Sequence, residues 1–484
     1  MATVTERLER VIEREAPSWG VRPTGQEVRR LSGLDFAVLW GDLGIGLLVL
    51  VTGALLVPAL GFPRALVAIL VGSAIGCVPL ALVGRAGARE GVPGMVLLRP
   101  ALGTRGSYLP TLLNIVQLIG WTAFEFWAMA LVATRVTGSG GFALWLAVVA
   151  AVCLLLSLGG PVVVVRRWMA RFGVWVVAGV AAYLTLRLVL ATDLGALWSQ
   201  PGTGGFPTFW PAVDLVIAMP ISWIPLVADY NRFARRGVTS ARGTFAGYFL
   251  ANVWFYALGA LLILTARAPG PSVAGVADGI VALAGGTVLL VVLLVGETDE
   301  AFADIYSAAV SAQNLAPGLR QRAGVVLVTA LGVGGAAWLS GLPDQGVLTY
   351  ELFLFLIGSI FVPLFGVFLA DYHVLHRGRG YRGEALFDHR GPYRYAGGFR
   401  PAAVGAWLLG FAAYHWTAPT ALPGWSAAVE RVFADWLGLP FPLFDGGVPA
   451  SIVAFVAGFG GYLGLVGVGR FLSRGTRPVG APRS

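Results

Sequence analysis

Four carboxylates fall within eight positions of an otherwise apolar stretch, in Gly296-Glu297-Thr298-Asp299-Glu300 and then Asp304-Ile305-Tyr306-Ser307. A carboxylate deep in a bilayer is costly, and by default it marks a pathway or a site. At helical spacing Glu297, Glu300 and Asp304 share one face, whereas Thr298 and Asp299 point elsewhere. Such hard oxygen ligands suit a cation, and Glu297, Asp299 and Glu300 could equally relay protons or cations. Placing these acids outside the membrane would strand residues 281–295 without a spanning partner, so the acids are read as intramembrane.

A second constellation is Gln117, Trp121 and Glu125, each one helical turn from the next on a single stripe. An indole plane beside a hydrogen-bond acceptor is a pair fit to recognise a flat ring. The structural alternative is an ion pair from Glu125 to Arg187, which lies deep in another apolar segment.

Two further segments break the rules of ordinary membrane helices. Trp40-Gly41-Asp42-Leu43-Gly44-Ile45-Gly46 removes helix propensity with three glycines and holds a carboxylate near mid-membrane. Pro220-Ile221-Ser222-Trp223-Ile224-Pro225 deletes backbone donors at two prolines and leaves carbonyls without intrahelical partners. Unwound backbone at that depth survives only where it lines a protein cavity. Glycines for close packing and prolines that merely kink are the plainer reading of either break taken singly. Cys77 and Cys153 sit singly in apolar stretches and are read as packing residues. His373, His376, His389 and His415 form no paired metal-ligand spacing. No phosphate loop or nucleophile elbow is present in the sequence.

The elements that must hold these residues follow from composition. Hydrophobic residues make up 57% and charged residues 12% of the 484 positions, and mean hydropathy is +0.77. Such a chain needs a bilayer as solvent. Apolar runs of about 20 residues, long enough to cross roughly 30 Å of hydrocarbon, recur throughout. They predict an all-α integral membrane protein with twelve transmembrane helices at 36–60, 64–84, 107–135, 142–160, 168–192, 208–230, 243–266, 281–312, 323–341, 347–371, 401–418 and 450–473. The two breaks fall in the first and sixth of these spans. Corresponding breaks in two five-helix halves are the pointer to an inverted-repeat transporter with a midplane substrate site. The expected organisation is a cytoplasmic segment 1–35, a membrane domain 36–473 with repeats at about 36–192 and 208–371 plus helices 401–418 and 450–473, and a cytoplasmic tail 474–484.

The net charge of +9 comes from 34 arginines and no lysine. On the predicted topology 29 of them lie on one side, and Arg64, Arg135, Arg187, Arg267 and Arg431 are the remainder. That alternation predicts cytoplasmic termini, insertion through the first helix without a cleaved leader, and residence in the plasma (inner) membrane. With the charge used for orientation, no soluble basic face remains for nucleic acid. The loop 372–400 is expected in the cytoplasm, and 419–449, with Trp425, Trp436 and Phe441, as an amphipathic segment at the outer interface.

Several short motifs in order carry a family likeness: Gly91-Val-Pro, Arg99, Leu102-Gly-Thr-Arg-Gly-Ser107, Gln117-Leu-Ile-Gly-Trp121, Ser222-Trp-Ile-Pro-Leu-Val-Ala-Asp-Tyr-Asn-Arg-Phe233, Tyr306-Ser-Ala-Ala309 and Asp371-Tyr372. Nearly the whole chain resembles the nucleobase:cation symporter family 1, which includes permeases for cytosine, uracil, purines, hydantoins and allantoin. The resemblance implies a five-plus-five inverted repeat with two C-terminal helices and a ring substrate between the first, third, sixth and eighth spans. Trp121 would stack on that ring, which puts the candidate substrate contacts at Trp121, Glu125, Gln117, Gly46, Ser222, Trp223 and Asp304. Asp42, Ile45 and Thr298 would correspond to sodium-liganding positions. Some relatives carry an amide where this chain has Glu125, and the extra acid points to proton coupling or to a substrate with a protonated amine.

The expected function is therefore import of a nucleobase-like heterocycle by sodium- or proton-coupled alternating access, with no cofactor beyond the coupling cation. An integral membrane enzyme using the eighth-span acids is the alternative from another class. A channel fits less well, because broken helices suit alternating access better than a continuous pore. The oligomeric state is not encoded in any motif.

Overall fold

A computed structural model describes residues 20–159, 174–265, 268–342, 346–377, 379–388, 390–419 and 424–475. Secondary structure among them is helical, with isolated bridges at Leu31–Ala234 and Ala396–Phe399 and no strand. The long elements are α1 Gly33–Asp42, α2 Leu47–Leu55, α3 Phe62–Glu90, α4 Gly94–Leu102, α5 Tyr108–Thr137, α6 Gly141–Gly159, α7 Val174–Leu190, α8 Phe209–Ser222, α9 Ile224–Asn231, α10 Gly237–Leu264, α11 Val273–Val281, α12 Gly286–Leu315, α13 Gln321–Leu339, α14 Val347–Leu369, α15 Pro401–Thr417 and α16 Ala450–Gly475.

A helix lies at each of the twelve predicted positions. By length and composition, eight helices among the described residues can cross a membrane, or nine if the bent pair α1 and α2 is one span. The sequence places the eighth span from residue 281. Instead α11 ends there, Gly285 turns the chain at φ 72°, and the acid-bearing helix starts at Gly286. Glycine meets that left-handed turn at little steric cost. The start of the predicted fifth span, the outermost ends of both termini, and His389 fall outside the described residues.

The two predicted breaks differ. Between α1 and α2 the helix axis bends by 64°, and Gly46 is fully extended at φ −158°, ψ 167°. The sixth span is interrupted more gently than its two prolines predict, since only Trp223 separates α8 from α9 and it keeps a right-handed helical conformation. Pro225 occupies the first turn of α9, where its missing N–H costs nothing. The freed carbonyls find side chains: the Tyr256 hydroxyl donates to Val216 O at 3.4 Å, and Gln117 Nε2 donates to Ser222 O at 3.0 Å.

Two compact units make up the chain, Met1–Leu97 with Tyr108–Gly358, and Leu98–Ser107 with Ser359–Ser484. In the first, α10 packs on α1, α2 and α3, α12 and α13 pack on α5, and α8 packs on α3. In the second, α15 packs on α16. There the buried Asp371 carboxylate accepts from Tyr462 at 2.6 Å, Tyr381 at 2.8 Å and Arg400 at 2.6 Å. Its hydrogen bond to His376 holds that imidazole's pKa above the usual histidine value.

Candidate functional site

The predicted site residues all lie in the first unit. The α1–α2 break leaves the backbone N–H of Leu47 at the start of a helix, and it donates to Glu297 Oε1 from α12. A carboxylate is favoured there by both the hydrogen bond and the positive end of the helix. Gly46 makes this approach possible: a Cβ on it would stand 2.5 Å from Glu300 Oε1 and 2.7 Å from Glu297 Oε1. On the other half of the break, Asp42 hydrogen-bonds Asp299.

On α5 the stripe read from the sequence is buried, with Gln117 3%, Trp121 5% and Glu125 1% exposed. Glu125 hydrogen-bonds Asp304, so the third and eighth spans meet through a carboxyl pair. The carboxyls of Glu300 and Glu297 also lie close enough to act on Glu125 electrostatically. A hydrogen bond between two carboxyls needs a proton on one of them, because ionised carboxylates only accept. Each pair, Asp42–Asp299 and Glu125–Asp304, can therefore exchange that proton for a cation.

Gln117 ties α5 to the sixth span. Its amide donates to Ser222 O and to Asn114 Oδ1 at 2.9 Å, while its Oε1 has no partner within the chain. The hydroxyl of Ser222 is turned to its own helix, donating to Met219 O at 2.6 Å. Trp223 packs edge-on against Trp40 at 5.9 Å. Ile45 is 7% exposed, and its N–H donates to Asp42 O at 2.9 Å. The hydroxyl of Thr298 donates to Val295 O at 2.6 Å, so Asp299 is the α12 residue bonded to Asp42.

No ion pair joins Glu125 to Arg187 among the described residues, and the guanidinium Nε of Arg187 has no hydrogen-bond partner. An ion pair therefore does not account for Glu125. The described residues also hold no group of three or more His, Cys, Asp and Glu fit for a metal ion. His415 accepts from Trp425 Nε1 at 3.1 Å, a structural role.

Residues that sequence reasoning missed stand opposite Trp121. Its ring lies edge-on to Tyr350 at 6.0 Å and to Phe353 at 5.2 Å, both from α14. Tyr350 shares a hydrogen bond with Thr52 of α2 at 2.8 Å. The available signal was a tyrosine and a glutamate, Tyr350 and Glu351, inside a strongly apolar span. A further missed link is Arg232, fully buried, which donates to the Tyr306 hydroxyl at 3.0 Å and to Gly20 O at 2.7 Å.

In the second unit a cavity of about 540 Å³ is lined by Arg377, Arg379, Arg382, His376, Tyr393 and Tyr395, among others. It includes none of the predicted site residues.

The comparisons with known proteins bear on this arrangement. Residues 23–433 match a family described as permease for cytosine/purines, uracil, thiamine, allantoin. A putative purine-cytosine permease of Bacillus subtilis is 27% identical over 76% of this chain and 81% of its own. The hydantoin permease of Microbacterium maritypicum is 23% identical over 87% of this chain and 90% of its own. Among solved structures, Mhp1, a nucleobase-cation-symport-1 family transporter in a closed conformation with bromovinylhydantoin bound, superposes with a TM-score of 0.77 at 18% identity, covering 96% of this chain and 97% of that one. The fold is thus that of an Mhp1-like transporter.

Proposed function

This chain belongs to the permease family for cytosine/purines, uracil, thiamine and allantoin, and from that premise we propose that it carries a nucleobase-like nitrogen heterocycle across the membrane by cation-coupled alternating access. It is a multi-pass membrane transporter. The enzyme alternative finds no support, because the relatives are permeases and the solved neighbours are transporters. One observation carries the mechanism: the broken first helix donates from Leu47 to Glu297 on the helix whose Asp304 holds Glu125, one turn from Trp121. A ring held by the third span and a cation held at the break would then act on the same helix, which is the physical requirement for coupling.

In this reading the ring stacks on Trp121 and is hydrogen-bonded by Glu125, Gln117 and Asp304, with Gly46, Ser222 and Trp223 contributing the walls. The coupling ion sits beside Asp42, with Ile45 and Thr298 as further candidate ligands if it is sodium. If it is a proton, Glu297, Asp299 and Glu300 relay it. The twelve helical positions are taken as twelve crossings in a five-plus-five inverted repeat with two added helices. Both termini face the cytoplasm, and the bilayer is the plasma (inner) membrane.

The test is uptake of labelled cytosine, uracil, allantoin and hydantoin into proteoliposomes under imposed sodium or proton gradients. Sodium coupling predicts that sodium raises substrate affinity by linkage, and that Thr298→Ala weakens this effect more than it weakens sodium-free binding. Proton coupling predicts uptake that follows the pH gradient and ignores sodium. Uptake unchanged with both gradients collapsed would reject coupling.

A further inference from the structure

Six carboxylic acids crowd one buried region: Asp42, Glu125, Glu297, Asp299, Glu300 and Asp304 are each at most 5% exposed. No arginine or histidine among the described residues forms an ion pair with any of them. Burying one uncompensated carboxylate is expensive, and gathering several is more so. Among the described residues a partial counter-charge comes from the helix start at Leu47 that faces Glu297. The two carboxyl pairs supply only shared protons.

The remaining polar atoms point the same way. Trp121 Nε1, Gln117 Oε1, Glu297 Oε2 and Glu300 Oε1 are buried without a hydrogen-bond partner. Of these, a single atom donates and three accept. Gln117 and Trp121 lie on the stripe that ends at Glu125, so their atoms belong to the same face. A ligand complementary to this surface must bring hydrogen-bond donors and positive charge. Rings surround that position as well, since Trp121 is bordered by Tyr350 and Phe353, and aromatic faces attract organic cations.

We propose that the substrate is a positively charged nitrogen heterocycle, a flat ring bearing a protonated amine, rather than a neutral nucleobase. The proposal rests on the transport reading above and narrows its substrate class. Glu125 and Asp304 form the charge-recognising pair: a ligand ammonium displaces the proton they share, which is released to water, and donates to both carboxylates. A single coupling cation would neutralise part of the cluster, whereas a charged substrate acts where the ring stripe and the acids meet.

The experiment uses the full chain in lipid nanodiscs at neutral pH with saturating sodium. Titration calorimetry compares two pyrimidines that differ only in a hydroxymethyl against an aminomethyl substituent, the second being protonated. The uncharged panel of cytosine, uracil, allantoin and hydantoin is run alongside. The cationic member should bind at least about tenfold more tightly than its neutral counterpart, the scale of one charge-assisted hydrogen bond. Glu125→Gln and Asp304→Asn should each bring that ratio toward unity. A neutral member binding as tightly as the cation, or a ratio unmoved in both folded variants, overturns the charge inference and leaves the transport reading standing. Failure of the pair and of the whole panel to bind overturns both.

Discussion

In the proposed site Trp121 and Glu125 divide the work of recognition between them, the indole offering a flat apolar face and the carboxyl an acceptor one turn away. Trp121→Ala should abolish measurable binding, whereas Trp121→Phe keeps a ring and should retain part of it. Losing a charge-assisted hydrogen bond costs about 1.5–3 kcal/mol, so Glu125→Ala should weaken binding roughly ten- to hundred-fold. Calorimetry on variants that still give monodisperse particles checks both, and unchanged affinity in Trp121→Ala and Glu125→Ala would place the substrate elsewhere. This stripe was legible because residues four apart on a helix share a face wherever the helix packs. The partners of the stripe were not. That Tyr350 and Phe353 face Trp121 depends on a contact across more than two hundred positions of chain, which no local periodicity encodes. Asp299 shows what the helical wheel leaves out: read as pointing away from Glu297 and Glu300, it reaches Asp42 on another helix end and acts electrostatically on Glu300.

Glycines at the first-span break and next to it face different neighbours, and that separates a site effect from a packing effect. At Gly46 an added methyl would meet the carboxyl ends of Glu300 and Glu297, flexible groups that can swing away. Gly46→Ala should therefore lower ligand affinity while leaving thermal stability nearly unchanged. At Gly53 of α2 the same methyl would collide with the backbone carbonyl of Tyr256 on α10, which cannot move alone. Gly53→Ala should cost about 1–3 kcal/mol through overpacking and lower the melting temperature. Equal losses of stability in the two variants would remove the distinction. The first break was readable because Gly41, Gly44 and Gly46 crowd six positions around a carboxylate, and each glycine weakens the helix there by up to about 1 kcal/mol relative to alanine. The sixth reads as a comparable break, but proline removes hydrogen bonds without dictating a bend. With Trp223 helical and Gln117 and Tyr256 taking up the released carbonyls, α8 and α9 run on through one residue. Such rescue comes from other spans, so the sequence of the sixth could not announce it.

Across the whole chain, the distribution of arginine is what fixes a topology, since each reversal of side must be matched by a crossing. On the proposed topology the odd connections lie outside and the even ones inside. Ser139, exposed between α5 and α6, belongs to the first class, and Gly318, exposed between α12 and α13, to the second. A methyl at Gly318 would touch nothing within 4 Å, so a cysteine there is tolerated. The native thiols, Cys77 and Cys153, are fully buried and leave a silent background. A membrane-impermeant maleimide applied to right-side-out vesicles should label Ser139→Cys at once, and Gly318→Cys only after permeabilisation. The reverse pattern would invert the protein. Labelling of both from outside would mean an even number of crossings between them, so that one helix there, α12 with its acids being the first suspect, does not span. The acids are the reason for suspecting α12: its hydropathy is eroded by Glu297, Asp299, Glu300 and Asp304, and it crosses only if their cost is met inside the protein by the first and third spans.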